Sequence, residues 1–206
     1  LSFYLADSYL KKANYNKAIA WFEKEAAIRK LMLPQGEEDY TDALYNLLGA
    51  YRGANDYVNG RRIGVLILDT YKTRYGTSST QYIQSLIKYA DILMRDGDLP
   101  EAESILETAL KGLPDFSTET GAVLSKLADV CTYSGKYLKA ERLFYDALQL
   151  LNISDGDDSE VYVTTLSNYA SLLLEQGKYD KAEDLYEQVL RVSEDKEWRT
   201  SDTYYN

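Results

Sequence analysis

Few residues in this chain belong to the types that carry out most enzymatic chemistry. The 206 residues include no histidine and a single cysteine, Cys131. Without histidine, catalytic groups of the Ser-His-Asp or Cys-His kind, histidine-ligated zinc and imidazole acid–base chemistry are excluded within this sequence. Cys131 stands among apolar residues at a helical spacing, which favours a small buried side chain over a nucleophile. We therefore expect no catalytic residue, no metal and no cofactor in this segment.

Two short motifs resemble ligand or modification sites. Asp155-Gly156-Asp157-Asp158 clusters three carboxylates, but it lacks the alternating ligands and the distal glutamate of a calcium-binding EF-hand. A helix-capping turn is the favoured interpretation. Asn152-Ile153-Ser154 matches a glycosylation sequon by pattern alone. Neither motif predicts a functional site.

The charge of the chain restricts the partners that it can bind. The formal net charge is −10, from 23 basic and 33 acidic residues. Nucleic acid is disfavoured because its affinity comes largely from Lys and Arg contacts to phosphate, and an anionic membrane surface is disfavoured for the same reason. No stretch reaches the roughly 18 uninterrupted apolar residues of a membrane helix, and no signal peptide is visible. We expect a cytoplasmic protein with no nucleic acid or membrane partner.

One motif recurs along the chain and indicates how it is organised. Gly177-Lys178-Tyr179 is followed by Lys181-Ala182-Glu183, and Gly135-Lys136-Tyr137 is followed by Lys139-Ala140-Glu141. Five positions share this frame, and we call them the hinge residues: Ala13, Asn55, Gly97, Gly135 and Gly177. They are separated by 42, 42, 38 and 42 residues. Self-similarity at such a period is typical of solenoid proteins, which present long surfaces to partners.

The residues around each hinge predict a pair of helices. Before the hinge, apolar residues recur at the i, i+3, i+4 and i+7 spacing of one helix face. After it, a small residue stands five positions on, where it lets two helices approach closely. The hinge glycines fit a turn that needs positive φ or close packing, for which Ala13 and Asn55 are weaker signals. The predicted helices cover residues 1–12, 15–30, 39–53, 57–73, 79–96, 99–111, 117–134, 137–151, 159–176 and 179–193.

The predicted helix 57–73 departs from the pattern. Gly60 and Gly64 lie four residues apart in it, and the large residue expected at position 64 is missing. The alternation Ile63-Val65-Ile67 alone would fit a strand, whereas the repeat frame predicts a helix. Because each glycine costs about 1 kcal/mol relative to alanine in a helix interior, we expect this helix to be the least stable.

The pattern Leu-x-x-Leu/Tyr-Ala, followed by Gly-x-Tyr-x-x-Ala-Glu-x-Leu-Tyr, resembles the tetratricopeptide repeat in its 42-residue, kinesin-light-chain-like form. The resemblance covers nearly the whole chain and is most specific over residues 79–193. It implies an all-α fold, a right-handed superhelical solenoid of antiparallel helix pairs. We expect a single array with repeats at about 1–33, 34–76, 77–114, 115–157 and 158–200, and the start of a further repeat at 201–206. Since both ends interrupt this frame, the chain is expected to be a piece of a longer protein.

The resemblance also implies where a ligand would bind. The first helix of each pair lines the concave groove, with the residues ten, six, three and two positions before each hinge facing it. These positions vary between repeats while the packing positions stay similar, which favours a function-bearing face over an unconstrained exposed one. The candidate peptide-binding residues are Tyr45, Arg52, Ile87, Asp91, Met94, Arg95, Asp129, Tyr133, Ser167 and Ser171.

The leading hypothesis is a protein-interaction scaffold whose groove binds a peptide or helix of a partner protein. The carboxylate clamp of chaperone-binding relatives is not matched, and the paired asparagines of kinesin light chains survive only singly, as Asn46 and Asn168. One alternative is a regulatory or sensor region of a larger protein that carries an effector domain, a caspase-like protease or a signalling kinase. Another is a structural spacer or dimerisation element.

Overall fold

A computed structural model describes residues 2–32, 37–154 and 159–195 of the chain. These residues form α-helices joined by turns and contain no strand. In chain order the helices are α1 Ser2–Lys11, α2 Tyr15–Leu31, α3 Glu37–Gly53, α4 Tyr57–Tyr75, α5 Thr80–Asp96, α6 Leu99–Lys111, α7 Thr118–Tyr133, α8 Tyr137–Ser154, α9 Glu160–Glu175 and α10 Tyr179–Asp195. The all-α prediction is confirmed, and the predicted bounds differ from these by three residues or fewer.

The chain divides into two compact units, Leu1–Asp98 and Leu99–Asn206. In the first unit each of α1 to α4 packs against the next helix along the chain, and in the second each of α6 to α9 does the same. Phe22, Leu44 and Ile67 are fully buried in the first core, as Phe144 and Leu166 are in the second. Nearest-neighbour packing of this kind is how repeat proteins bury their apolar faces. The single array over 1–206 and its repeat bounds stay a prediction.

A tight turn with a left-handed residue separates the two helices at each hinge. All five hinge residues have positive φ, from 54° at Ala13 and 57° at Asn55 to 87° at Gly97. In each turn the N–H after the hinge donates to a carbonyl five residues earlier, for example Lys136 to Cys131 at 2.8 Å. This is the Schellman arrangement that ends many helices. The predicted hinge conformation is therefore confirmed, including the two positions without glycine.

Serine residues begin the first helix of several pairs. The hydroxyls of Ser79, Ser117 and Ser159 each accept a hydrogen bond from the backbone N–H three residues later. Such N-caps satisfy one of the free donors at a helix start. The acidic motif at 155–158 and the predicted further repeat at 201–206 lie outside the described residues.

Helix α4 is continuous through both of its glycines. Ile63 and Ile67 are buried while Val65 is exposed, a helical and not a strand pattern of burial. A Cβ atom on Gly64 would lie 2.4 Å from Cδ2 of Tyr89, so the tyrosine ring fills the space of the missing side chain. A Cβ on Gly60 would meet only Ile92, at an ordinary contact distance of 3.5 Å.

None of the described helices combines the length and the apolar character that crossing a membrane requires.

Candidate functional site

Several predicted groove positions lie at contacts between the first helices of successive pairs. The hydroxyl of Tyr45 on α3 lies 2.7 Å from Oγ of Ser85 on α5. In the second unit Thr165 on α9 donates to Ser125 on α7 at 2.8 Å. Both bonds join the position ten before one hinge to the position twelve before the next. Ser85, Ser125 and Thr165 are buried, so these hydroxyls hold adjacent helices together.

Asp129 was predicted in the groove, and the structure buries it beside α9. Only 9% of the residue is exposed. Its carboxylate accepts hydrogen bonds from Nζ of Lys126 and Nδ2 of Asn168, both at 3.0 Å. Because a buried carboxylate needs such partners, Asp129 has a structural role in joining α7 to α9. The sequence carried no indication that Asn168 was its partner.

Ser167 and Ser171 are also engaged within the fold. Their hydroxyls donate to the carbonyls of Val163 and Ser167 on their own helix, both at 3.0 Å. The Ser171 hydroxyl also lies 2.9 Å from that of Tyr186 on α10.

The candidate positions nearest the hinges are the accessible ones. Arg52, Arg95 and Tyr133 are exposed, and Tyr133 exposes 73% of its surface. The guanidinium groups of Arg52 and Arg95 form no ion pair with any residue that the structure describes. Ile87, Asp91 and Met94, all on α5, are half-buried.

A cleft of about 210 Å³ lies between α3 and α5 and contains the clearest candidate site. We call it the α3–α5 cleft. It is lined by Tyr45, Asn46, Leu48, Gly49, Arg52, Lys88 and Ile92. Tyr45 and Arg52 were predicted, whereas Asn46, Lys88 and Ile92 were missed. These three stand nine or five positions before a hinge, outside the four offsets that the family resemblance supplied.

Tyr45 forms one wall of the cleft and is held rigidly. The Ser85 hydroxyl donates its proton to the carbonyl of Gln81 at 2.6 Å, so the Tyr45 hydroxyl must be the donor to Ser85. Burial raises the pKa of Tyr45 to about 12, which keeps this proton in place at neutral pH. Nζ of Lys88 lies 4.1 Å from the centre of the Tyr45 ring, a cation–π geometry.

Cys131 is fully buried on α7. Burial raises the pKa of its thiol, and a buried protonated thiol is a poor nucleophile. The predicted packing role is confirmed.

Residues 119–195 match the family model of the tetratricopeptide repeat. Over these residues the chain is similar to the tetratricopeptide-repeat family. No curated protein sequence matches the chain significantly.

Several solved structures share the fold across most of the chain. TPR-like repeats from a Podosopora anserina protein assigned as a kinesin light chain superpose with a TM-score of 0.67 at 16% identity, covering 95% of each chain. BtubC (BKLC) from P. vanneervenii gives 0.72 at 17% identity, over 88% of this chain and 74% of that one. The Rap conjugation gene regulator of plasmid pLS20, solved with a Phr peptide, gives 0.70 at 19% identity and 94% coverage of this chain. This chain spans about half of that regulator, 53%.

Ion pairs join successive helix pairs within each unit. Arg61–Asp98, Glu103–Lys136 and Glu141–Lys178 each link the residue six positions after one hinge to the residue one position after the next hinge. In the second unit Lys136 and Lys139 donate to Glu103, and Lys178 donates to Glu141 at 2.6 Å. In the first unit the charges are reversed. There Arg61 of α4 donates to Asp98 at 3.1 Å and to Asp96 at 2.8 Å.

Proposed function

We propose that the first helices of the repeats bind a peptide or helix of a partner protein, with the surface of α3 and α5 as the principal contact. The observation that carries this proposal is the α3–α5 cleft, where the fold leaves a cavity beside charged groups that it does not neutralise. Arg52 and Lys88 at the cleft, and Arg95 on the same helix as Lys88, form no ion pair within the described residues. A protein partner would supply their counter-charges.

The positions of the ion pairs and of the unpaired cations support a binding role for the first helices. Glu103 and Glu141 on second helices pair with lysines of the next repeat, and Arg61 on the second helix α4 pairs with Asp96 at the end of α5. Exposed arginine and tyrosine residues and the half-buried Met94 occupy the ends of the first helices, and aromatic and arginine residues dominate the energetics of protein interfaces. The Rap regulator, which has this fold, was solved with a peptide bound, and this precedent favours a peptide ligand for the present chain.

Binding can be tested with a ligand selected on the protein itself. A random dodecapeptide library displayed on phage would be selected against the immobilised chain, and the selected peptide titrated by calorimetry. Replacing both Arg52 and Arg95 by alanine should weaken binding by about 1–3 kcal/mol in total, the usual range for interface hot spots. The circular dichroism melting temperature should be nearly unchanged because both side chains are exposed.

The matched control removes two exposed arginines from second helices, Arg62→Ala on α4 with Arg142→Ala on α8. Arg142 approaches Asp146 only at 3.9 Å and exposes 85% of its side chain. The control should bind like the unmodified protein. Loss of binding in the control with retention in the Arg52 and Arg95 variant would place the ligand on the second helices and overturn the proposal. Failure to select any peptide would overturn it as well.

A further inference from the structure

Another cleft, of about 600 Å³, lies between the turn that follows α1 and the turn that follows α3. We call it the hinge cleft. It is lined by Lys12, Ala13, Asn14, Tyr15, Asn16, Gly53, Ala54 and Asn55. Its volume falls in the range of about 300–1,000 Å³ that is usual for small-molecule sites. The hinge cleft shares no lining residue with the α3–α5 cleft, so it needs an explanation of its own.

Both hinge residues of this cleft carry a side chain in a backbone conformation that favours glycine. Ala13 and Asn55 have φ angles of 54° and 57°, and no other residue of the described ranges, glycine apart, has a positive φ. At Gly97, Gly135 and Gly177 a Cβ atom would have no neighbour within 4 Å, so packing does not require a side chain at a hinge. Non-glycine residues in the left-handed region cluster at functional sites. The two in this chain line one cleft.

Two asparagines of the cleft have their amide oxygens engaged. Oδ1 of Asn14 accepts a hydrogen bond from the backbone N–H of Lys17 at 3.4 Å. Oδ1 of Asn55 accepts one from the Tyr57 hydroxyl at 2.7 Å. Each Nδ2 group therefore remains to donate to a ligand. The exposed amide of Asn16 adds both a donor and an acceptor to the lining.

Tyr15 adds an aromatic ring to these amides. A Cβ atom on Gly53 would overlap Cε1 and Cδ1 of Tyr15, so the ring edge packs against the end of α3 where a side chain would otherwise lie. The equivalent position, two residues before the hinge, is occupied in later pairs by Arg95, Tyr133 and Glu175. Glycine at position 53 therefore admits the ring and fixes it at the wall of the cleft.

The lining is nearly free of charge. Among the described residues that form it, Lys12 alone is charged at neutral pH. Two neighbouring lysines are directed elsewhere. Nζ of Lys11 pairs with Asp7 at 2.8 Å, and Nζ of Lys17 lies 5.3 Å from the centre of the Tyr9 ring. Since protein sites for anions depend on charge-assisted hydrogen bonds, this lining favours an uncharged polar ligand.

We propose that the hinge cleft binds a neutral saccharide. One face of a pyranose ring is made of C–H groups that pack on an aromatic ring, while its hydroxyl groups donate and accept hydrogen bonds. Tyr15 provides the aromatic ring, and the amides of Asn14 and Asn55 donate to the sugar oxygens. Asn16 accepts from a hydroxyl group. The site is independent of the proposed peptide binding.

Saturation-transfer difference NMR tests the proposal with four neutral disaccharides: maltose, cellobiose, lactose and N,N′-diacetylchitobiose. Each is used at about 5 mM, a concentration that reveals millimolar affinity. At least one should receive saturation from the protein, and glucuronic acid should bind no more tightly than glucose. Absence of transfer to all four disaccharides would overturn the proposal. So would a preference for glucuronic acid, because the site would then recognise an anion.

Three substitutions remove a ligand contact and retain the local structure. Asn14→Asp keeps an oxygen for the N-cap but loses the amide donor, and Asn55→Gly suits the left-handed turn. Tyr15→Leu keeps apolar bulk and loses the aromatic ring. Each should weaken binding of the best disaccharide about threefold to tenfold, the effect of losing one neutral contact. Melting temperatures from circular dichroism should change little.

The matched control is Tyr179→Leu. Tyr179 stands two residues after its hinge, as Tyr15 does, and exposes 66% of its surface. This control and Lys12→Gln should both bind the disaccharide like the unmodified protein. If all three cleft variants keep full affinity, or if Tyr179→Leu loses as much as Tyr15→Leu, the saccharide binds elsewhere and the assignment to the hinge cleft is wrong.

Discussion

Gly60 and Gly64 are one turn apart in α4, and their surroundings give them opposite roles. The Tyr89 ring occupies the space where a Gly64 side chain would lie, so a methyl group there would have to displace a buried aromatic ring. Beside Gly60 there is room for a methyl group at 3.5 Å from Ile92. Gly64 is required by the close packing of Tyr89, whereas Gly60 only weakens the helix.

Alanine substitutions should therefore change stability in opposite directions. Gly64→Ala should lower the free energy of unfolding by about 1–3 kcal/mol, the usual cost of overpacking a core. Gly60→Ala should raise it by up to about 1 kcal/mol through helix propensity. Urea unfolding followed by circular dichroism measures both. Equal effects of the two substitutions would contradict the assigned role of Tyr89.

Burial also decides which side chains can serve a ligand. Asp129 and Tyr45 are both among the predicted peptide-binding residues. The Asp129 carboxylate accepts hydrogen bonds from Lys126 and Asn168, whereas the Tyr45 ring faces Lys88 in the cleft. The repeat frame placed both residues on the helix face that was predicted to line the groove. It could not show this difference, because the partner of each side chain comes from a helix about forty residues away.

At the scale of elements, the ion pairs between second helices add a pH-dependent contribution to stability. Hydrogen bonds from Lys136 and Lys139 lower the pKa of Glu103, which joins α6 to α8. A carboxyl group whose pKa is lower in the folded state stabilises the fold above its unfolded pKa, and this stability is lost as the pH falls through the folded pKa. The loss begins near pH 4.5, the ordinary value for the group.

Glu103→Gln should lower the free energy of unfolding at pH 7 by about 1 kcal/mol, as expected for a partly exposed charged network. Below pH 4.5 the difference between variant and unmodified protein should shrink, because the unmodified carboxylate becomes protonated. Urea unfolding at pH 7, 5, 4 and 3 tests this. A difference that stays constant over this range would show that charge plays no part. Glu183→Gln is the control, since Glu183 occupies the equivalent position on α10 but is exposed.

Helix α4 is expected to be less stable than helix α8. With two interior glycines, it should exchange its amide hydrogens faster around residues 60–64 than α8 does over 137–151. Hydrogen-exchange mass spectrometry resolves the two segments. Equal or greater protection at 60–64 would mean that the close packing of Gly64 against Tyr89 outweighs the low helix propensity of glycine.

At the scale of the whole molecule, the repeat frame was sufficient for the secondary structure and insufficient for the site. Periodicity located the helices and the left-handed hinges, since both depend on local sequence. The α3–α5 cleft depends on Gly49, which stands at a predicted groove position, but the sequence alone does not show the open space beside it. Lys88 and Asn46 were missed for a related reason. Their offsets lie outside the family's groove positions, and only the packing of α3 against α5 turns them toward a common cavity.

The central claim is that the first helices bind a protein segment at the α3–α5 cleft. The most direct measurement is a ¹H–¹⁵N NMR titration of the labelled chain with the peptide selected by phage display. The largest amide shift changes should fall on α3 and α5, around residues 45–52 and 85–95, and they should disappear in Gly49→Leu. Shift changes concentrated on α4 and α8, with α3 and α5 unaffected, would contradict it.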